Sequence, residues 1–177
     1  MYIWLAADVS DPLTEVAERI RNRCNAQNLY NPCLTLPLHI SLKISFPADD
    51  KNASAIMKAA SAYLAGVSPF SVKPGAPERE KNIVWMPMQR TEALEKIHGD
   101  LDRLLESSFS VPQHPFDKRF LFHTSLFIGE NEENAQAFAD RCTDFPLPDT
   151  LEIRRFVIGI SPVGKPGTYR VVHEINL

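Results

Sequence analysis

Residues 38–44 read Leu-His-Ile-Ser-Leu-Lys-Ile, and residues 122–128 read Phe-His-Thr-Ser-Leu-Phe-Ile. Both stretches are apolar apart from a few polar residues, and Pro or charged residues flank them, which predicts two β-strands. Side chains two positions apart in a strand point to the same face, so each His shares a face with the Ser that follows it. A His and a Ser side by side, repeated 84 positions later, indicate two matched halves of one site.

The composition is that of an ordinary folded protein. The 177 residues are 44% hydrophobic and 23% charged, with a formal net charge of −3, and the length suits one well-cored domain. A protein that grips duplex nucleic acid through many phosphates would be basic, so extended duplex binding is disfavoured.

The sequence also disfavours a membrane-spanning segment and disulfide bonds. No apolar run approaches the roughly 20 residues that cross a bilayer, and the N-terminal stretch lacks the basic region of a signal peptide. The three cysteines, Cys24, Cys33 and Cys142, cannot all pair with one another and lack metal-ligand spacing. Free thiols in a cytoplasmic protein are the expectation.

The rest of the chain predicts helices that alternate with strands. Apolar residues at helical spacing predict four helices, near 12–28, 53–64, 91–107 and 132–142. Strands are expected at 2–9, 69–74, 83–88, 151–160 and 169–175 in addition to the two His strands. We expect 69–74 and 83–88 to form a hairpin, and the alternation favours a mixed sheet with helices outside it.

The paired His and Ser residues suggest phosphate chemistry. With an ordinary pKa near 6.5, one of His39 and His123 can accept a proton while the other donates one. Ser41 and Ser125 can donate hydrogen bonds to the non-bridging oxygens of one phosphate. Such a pair fits phosphodiester cleavage without a metal or another cofactor, although which His is the acid stays open.

The two motifs resemble those of a known family. His39-Ile-Ser-Leu and His123-Thr-Ser-Leu match the two His-x-(Thr/Ser)-x motifs of the two-histidine (2H) phosphoesterases, the superfamily of 2′-5′ RNA ligase-like proteins and cyclic nucleotide phosphodiesterases. The charged lead-in at 117–120 and the Pro- and Gly-rich turn at 161–169 are also similar to the family.

That resemblance implies a fold and an activity. The expected fold is α+β and bilobal, with two antiparallel sheets that form a V-shaped cleft, helices packed outside, and residues 1–177 as a single domain. The two His would lie at the floor of the cleft. The implied substrate is a nucleotide or oligonucleotide with a 2′,3′-cyclic phosphate or a 2′-5′ linkage, and a monomer is the expectation.

Four further residues are candidates for substrate binding. Lys43 shares the His39 face and is a candidate phosphate ligand, or else a solvated lysine. Phe127 shares the His123 face and is a candidate to stack on a base, with core packing as the alternative. Tyr169 is a candidate cleft residue, and Trp4 either lines a base pocket or packs in the core.

Two other functions use the same residues. A non-catalytic nucleotide- or RNA-binding module would keep the cleft without turnover, although both motifs are intact here. A zinc site built on the two His would need a third ligand at useful spacing, which the sequence does not display. Neither metal nor cofactor is therefore expected.

Overall fold

The protein is described from a computed structural model, in which residues 1–140 and 145–177 are described. Within these residues lie four α-helices, which we number α1 (Thr14–Gln27), α2 (Asp50–Leu64), α3 (Glu92–Phe109) and α4 (Glu132–Ala139). The strands are β1 (Tyr2–Asp8), β2 (His39–Pro47), β3 (Phe70–Val72), β4 (Glu78–Glu80), β5 (Ile83–Pro87), β6 (His123–Ile128), β7 (Leu151–Ile153), β8 (Arg155–Ser161) and β9 (Arg170–Asn176). Two short 3₁₀ turns lie at Pro32–Thr35 and Pro115–Arg119.

The described strands pair only in antiparallel fashion, so the mixed sheet that the alternation of helices and strands favoured is wrong. A four-stranded sheet has the order β2-β1-β8-β9, and a three-stranded sheet has the order β4-β5-β6. A third sheet pairs β3 with β7. The predicted α+β fold is confirmed, with this small third sheet in addition to the expected two. Both His strands, β2 and β6, are edge strands of their sheets, and they approach each other across the fold.

The helices cover the outer faces with amphipathic stripes. The predicted leucine stripe of α3 is buried at Leu94, Ile97, Leu101 and Leu105, as a period of 3.6 residues requires. The helix begins where the Thr91 side chain accepts a hydrogen bond from the backbone N–H of Leu94, the usual N-cap arrangement. No described helix is long and apolar enough to cross a membrane.

The predicted hairpin of 69–74 with 83–88 is wrong over most of its length. β3 pairs with β7, and β5 pairs with β4 and β6. The two predicted strands meet only at their ends, where Pro74 bridges Met88. The polar stretch between them folds into β4 and turns back on β5, because Glu78–Glu80 finds a partner in the following strand.

The cysteines of the described residues are unpaired. Cys24 is buried and Cys33 is half-buried, and both are free thiols. Burial raises the pKa of both thiols, that of Cys33 to about 12, so neither is activated as a thiolate. Cys142, and the predicted end of the fourth helix near it, lie outside the described residues.

Candidate functional site

The two His strands contain matching irregularities. Along β2, Ser41 and Lys43 pair with consecutive residues of β1, which leaves Leu42 as the extra residue of a β-bulge. Along β6, Ser125 and Phe127 pair with consecutive residues of β5, which leaves Leu126 as the extra residue. The bulges occupy equivalent positions, each directly after the Ser of its motif. Each bulge interrupts the alternation of side-chain faces that an ideal strand would show.

A side chain from another element holds each bulge. The Leu42 carbonyl accepts a hydrogen bond from His98 Nδ1 of α3 at 2.8 Å. The Leu126 carbonyl accepts one from Asn31 Nδ2 at 2.8 Å. The side chains of both His98 and Asn31 thus satisfy carbonyl groups that face away from the sheet ladder at an edge strand. These contacts fix the backbone immediately after both Ser residues.

One cavity of about 560 Å³ lies between the two His strands. Its lining includes His39 and Ser41 from β2 and His123 and Ser125 from β6. Its volume falls within the roughly 300–1,000 Å³ typical of small-molecule sites. The structure therefore brings both sequence motifs to one place. Five aromatic side chains also border the cavity: Trp4, Trp85, Phe116, Phe120 and Tyr169.

The two imidazoles are oriented by the same local hydrogen bond. His39 Nδ1 lies 2.9 Å from the Pro37 carbonyl oxygen, and His123 Nδ1 lies 2.8 Å from the Leu121 carbonyl oxygen. A carbonyl oxygen only accepts, so Nδ1–H is the donor in both rings. In the neutral ring, Nε2 is consequently the nitrogen with the free lone pair, which is the atom that general base catalysis needs.

Each His also packs against a tryptophan. Trp4 meets the His39 ring edge-on, with ring centroids 4.4 Å apart and planes at 76°. Trp85 meets the His123 ring with centroids 4.8 Å apart and planes at 49°. These are the two tryptophans of the sequence. They restrict the imidazoles from one side and shield them from water.

Trp4 also orients Ser41. Its indole Nε1–H donates to Ser41 Oγ at 3.3 Å. Because Oγ accepts this bond, the Ser41 hydroxyl hydrogen is free to donate into the cavity. The indole packs close to β8 at Gly159, where an added Cβ would come within 2.4 Å of Trp4 Cε3. Trp4 is only 5% exposed, so it borders the cavity from the core rather than offering an open face to a base.

Desolvation makes both imidazoles weaker bases. Burial lowers the pKa of His39 to about 4, offset in part by its hydrogen bond to the Pro37 carbonyl, while His123 lowers it further. Burial also lowers the pKa of His123. Near neutral pH both rings are therefore neutral in the ligand-free protein, and a bound anion would favour protonation of one of them.

Lys43 lies in a buried charge cluster beside the cavity. Its ammonium is 2.6 Å from Asp102 Oδ1 of α3 and also pairs with Asp117, and all three side chains are nearly inaccessible to water. His98 Nε2 lies 3.6 Å from Asp102 Oδ2. The His and two Asp are close enough to offer ligand atoms to a metal, but the Lys43 ammonium occupies the position between the carboxylates. Lys43 borders the cavity with its charge already compensated.

The expectation that Phe127 shares the His123 face is wrong. The bulge at Leu126 turns Phe127 into the core, where it is fully buried and stacked on Phe138 with centroids 4.5 Å apart. Ile128 borders the cavity in its place. Tyr169 does border the cavity, with its ring centroid 6.3 Å from that of Trp4.

The sequence patterns did not identify several residues that border the cavity or support it. Trp85 had a detectable signal, since it stands on a predicted strand and is one of only two tryptophans. Arg119 and Phe116, which also border the cavity, lie in a stretch that reads as a loop. Asp117 and His98 gave no local sign of their burial, because the Lys43 ammonium beside Asp117 and the Leu42 carbonyl beside His98 lie 74 and 56 residues away.

Comparison with known proteins decides the family. A model of the 2′-5′ RNA ligase superfamily matches residues 9–160. The chain belongs to the 2′-5′ RNA ligase superfamily. The resemblance drawn from the two His-x-Ser motifs is thereby confirmed, whereas no curated protein matches the chain significantly.

Several solved structures share this fold. TT0787 of Thermus thermophilus is similar with a TM-score of 0.68 and 16% identity, covering 100% of this chain and 98% of that one. E. coli LigT complexed with 3′-AMP is similar with a TM-score of 0.66 and 13% identity, covering 99% and 97%. LigT has also been solved with ATP and with NADP+. At these identities the likeness shows a shared fold.

Proposed function

We propose that the protein is a metal-independent phosphoesterase that cleaves a 2′,3′-cyclic phosphate or a 2′-5′ phosphodiester in a nucleotide or at an RNA end. The observation that carries the proposal is one cavity bordered by two His–Ser pairs, in which both imidazoles are held by the same backbone contact. Membership of the 2′-5′ RNA ligase superfamily supports phosphoesterase chemistry. The nucleotide complexes of LigT support a nucleotide ligand.

The two imidazoles would divide the proton transfers of a hydrolysis. His39, with its pKa near 4, stays neutral near pH 7 and suits the base that takes a proton from the attacking water at Nε2. As the water oxygen bonds to phosphorus, the bond from phosphorus to the ribose oxygen breaks. His123, protonated at Nε2 once the anion is bound, would give its proton to that leaving oxygen.

The hydroxyls would stabilise the charge that develops on the phosphate. Ser41, whose oxygen accepts from Trp4, has its own hydrogen available for a non-bridging oxygen. Ser125 would make the equivalent contact from β6. Hydrogen bonds that are aimed in advance at the transition state need no reorganisation during the reaction, which is why they accelerate it.

Three candidate ligand contacts take different parts in this scheme. Tyr169 borders the cavity and remains a candidate contact to the sugar or base, because burial raises the pKa of its phenol and keeps it a neutral donor. Trp4 acts on the ligand through Ser41 and His39. We propose that Lys43 stabilises the protein beside the cavity, through its ion pairs with Asp102 and Asp117, rather than binding phosphate. We further propose that the protein is cytoplasmic, which the free thiols of Cys24 and Cys33 support, and that it is a monomer.

The test is a turnover screen of 2′,3′-cyclic nucleotides and 2′-5′-linked dinucleotides. His39→Ala and His123→Ala should each lower kcat/KM by about 10²-fold or more, and a chelator should have no effect on the wild type. His173→Ala is the matched control, because His173 is exposed on β9. Full activity in either active-site variant contradicts the scheme. Tight nucleotide binding without turnover across the panel would favour a non-catalytic binding module instead.

A further inference from the structure

The cavity has little free positive charge. Apart from the two His, the charged residues that border it among residues 1–140 and 145–177 are Lys43, Glu80 and Arg119. The Lys43 ammonium is shared by Asp102 and Asp117 and is therefore compensated. Among the residues that the structure describes, Arg119 is the one bordering cation that forms no ion pair within 4.0 Å.

The backbone around Arg119 is anchored on both sides. Arg119 ends the second 3₁₀ turn, whose Asp117 accepts a hydrogen bond from the His114 N–H at 2.6 Å and pairs with Lys43. On the other side, the Phe120 carbonyl accepts from Arg90 Nη1 at 2.7 Å. The Arg119 side chain itself is exposed. A guanidinium is thus presented to the cavity from a fixed backbone, and no other described residue forms an ion pair or hydrogen bond with it.

We propose that Arg119 binds the phosphate group of the ligand and supplies a permanent positive charge that no ion pair with a described residue offsets. A guanidinium presents N–H groups in a planar fork that matches two phosphate oxygens. The Ser41 and Ser125 hydroxyls donate hydrogen bonds to a phosphate but carry no charge to offset its own. The identity of the ligand as a nucleotide phosphate rests on the proposed function, whereas the role of Arg119 in anion binding does not require turnover.

Lys118 provides a matched control. It is the preceding residue, carries the same charge and is exposed, but it does not border the cavity. Loss of either charge changes the long-range attraction for an anion by a similar amount, and salt screens that term. Only Arg119→Gln would remove a direct contact to the phosphate. The difference in affinity between Arg119→Gln and Lys118→Gln therefore reports that contact.

The experiment measures binding by calorimetry at 0.15 M salt with three probes: adenosine 3′-monophosphate, inorganic phosphate and adenosine. Arg119→Gln should weaken binding of both phosphates by roughly 10- to 100-fold, as expected for a lost charge-assisted hydrogen bond. It should leave adenosine binding unchanged. Lys118→Gln should change every affinity by about twofold or less, and Arg119→Lys should be intermediate because the charge remains without the fork.

Three results would overturn the proposal: equal effects of Arg119→Gln and Lys118→Gln, an equal loss for adenosine and its phosphate, or no binding of either phosphate by the wild type. Activity is measured separately on the same proteins. If no phosphodiester is cleaved while the Arg119 difference persists, the proposed function fails and the anion contact stands.

Discussion

Replacing Lys43 with Met should destabilise the protein strongly, because Lys43 lies in a buried ion cluster. Its side chain is 2% exposed, and those of Asp102 and Asp117 are 7% and 1% exposed. Without the ammonium, two buried carboxylates would lie close together with no countercharge. Breaking a buried ion pair by removing one partner typically costs about 3–5 kcal/mol, and we expect a loss of that size in the free energy of unfolding.

A second lysine gives the control. Lys96 pairs with Asp100 on the surface of α3, and the Lys96 side chain is 69% exposed. Lys96→Met should change the free energy of unfolding by about 0.5 kcal/mol or less, since exposed pairs contribute little. Both variants remove a lysine ammonium group. The difference between their changes in the free energy of unfolding therefore reports the effect of burial.

The assay is urea denaturation followed by tryptophan fluorescence, with circular dichroism to check that each variant keeps its fold. Unchanged m-values would show that the shift in midpoint reflects stability. A Lys43→Met protein within about 1 kcal/mol of wild type would refute the buried cluster. If that Lys43→Met protein also failed to bind phosphate, Lys43 would instead be a contact to the ligand.

Three further outcomes follow from the site. Gly159→Ala should lower the free energy of unfolding by about 1–3 kcal/mol, because the new Cβ would lie 2.4 Å from the Trp4 ring; Gly66→Ala, where the nearest atom is 3.5 Å away, is the control in thermal unfolding, and equal shifts would contradict the packing argument. Trp4→Phe keeps a ring beside His39 but loses the hydrogen bond to Ser41, so kcat should fall roughly two- to tenfold; unchanged kcat would remove Trp4 from the scheme. The His39 pKa is lower in the folded protein, about 4, than in the unfolded chain, so the unfolded chain binds more protons below pH 6.5. Stability should therefore fall as the pH drops from 6.5 to 4, by at most about 1.4 kcal/mol per pH unit for one His, and His39→Asn should lack that part of the slope in urea titrations.

The sequence was sufficient to predict the part of the site that depends on local periodicity. His39 with Ser41, and His123 with Ser125, lie on one face because an uninterrupted strand alternates every residue. The family was also predictable, since two such motifs on strands are far more specific than one. Strong helical stripes, such as that of α3, predicted the helices.

The same periodicity failed in β6 beyond Ser125. Phe127 turns into the core because the bulge at Leu126 interrupts the alternation, and that bulge depends on Asn31, which lies 95 residues away. The charge partners of Lys43 lie 59 and 74 residues along the chain. Contacts of this kind are set by the tertiary fold, so no pattern within a strand reveals them.

The hydrogen bonds of the two imidazoles show that the orientation of each ring depends on neighbouring residues, whereas the placement of one ring relative to the other depends on the tertiary fold. Each Nδ1 bonds a carbonyl only two residues earlier, so the tautomer of each ring is set within a tripeptide. The distance between the rings depends instead on how the two sheets pack. Substitutions in the core should therefore change the separation of the two imidazoles, and with it which ligands fit. The hydrogen bond that orients each ring should stay intact.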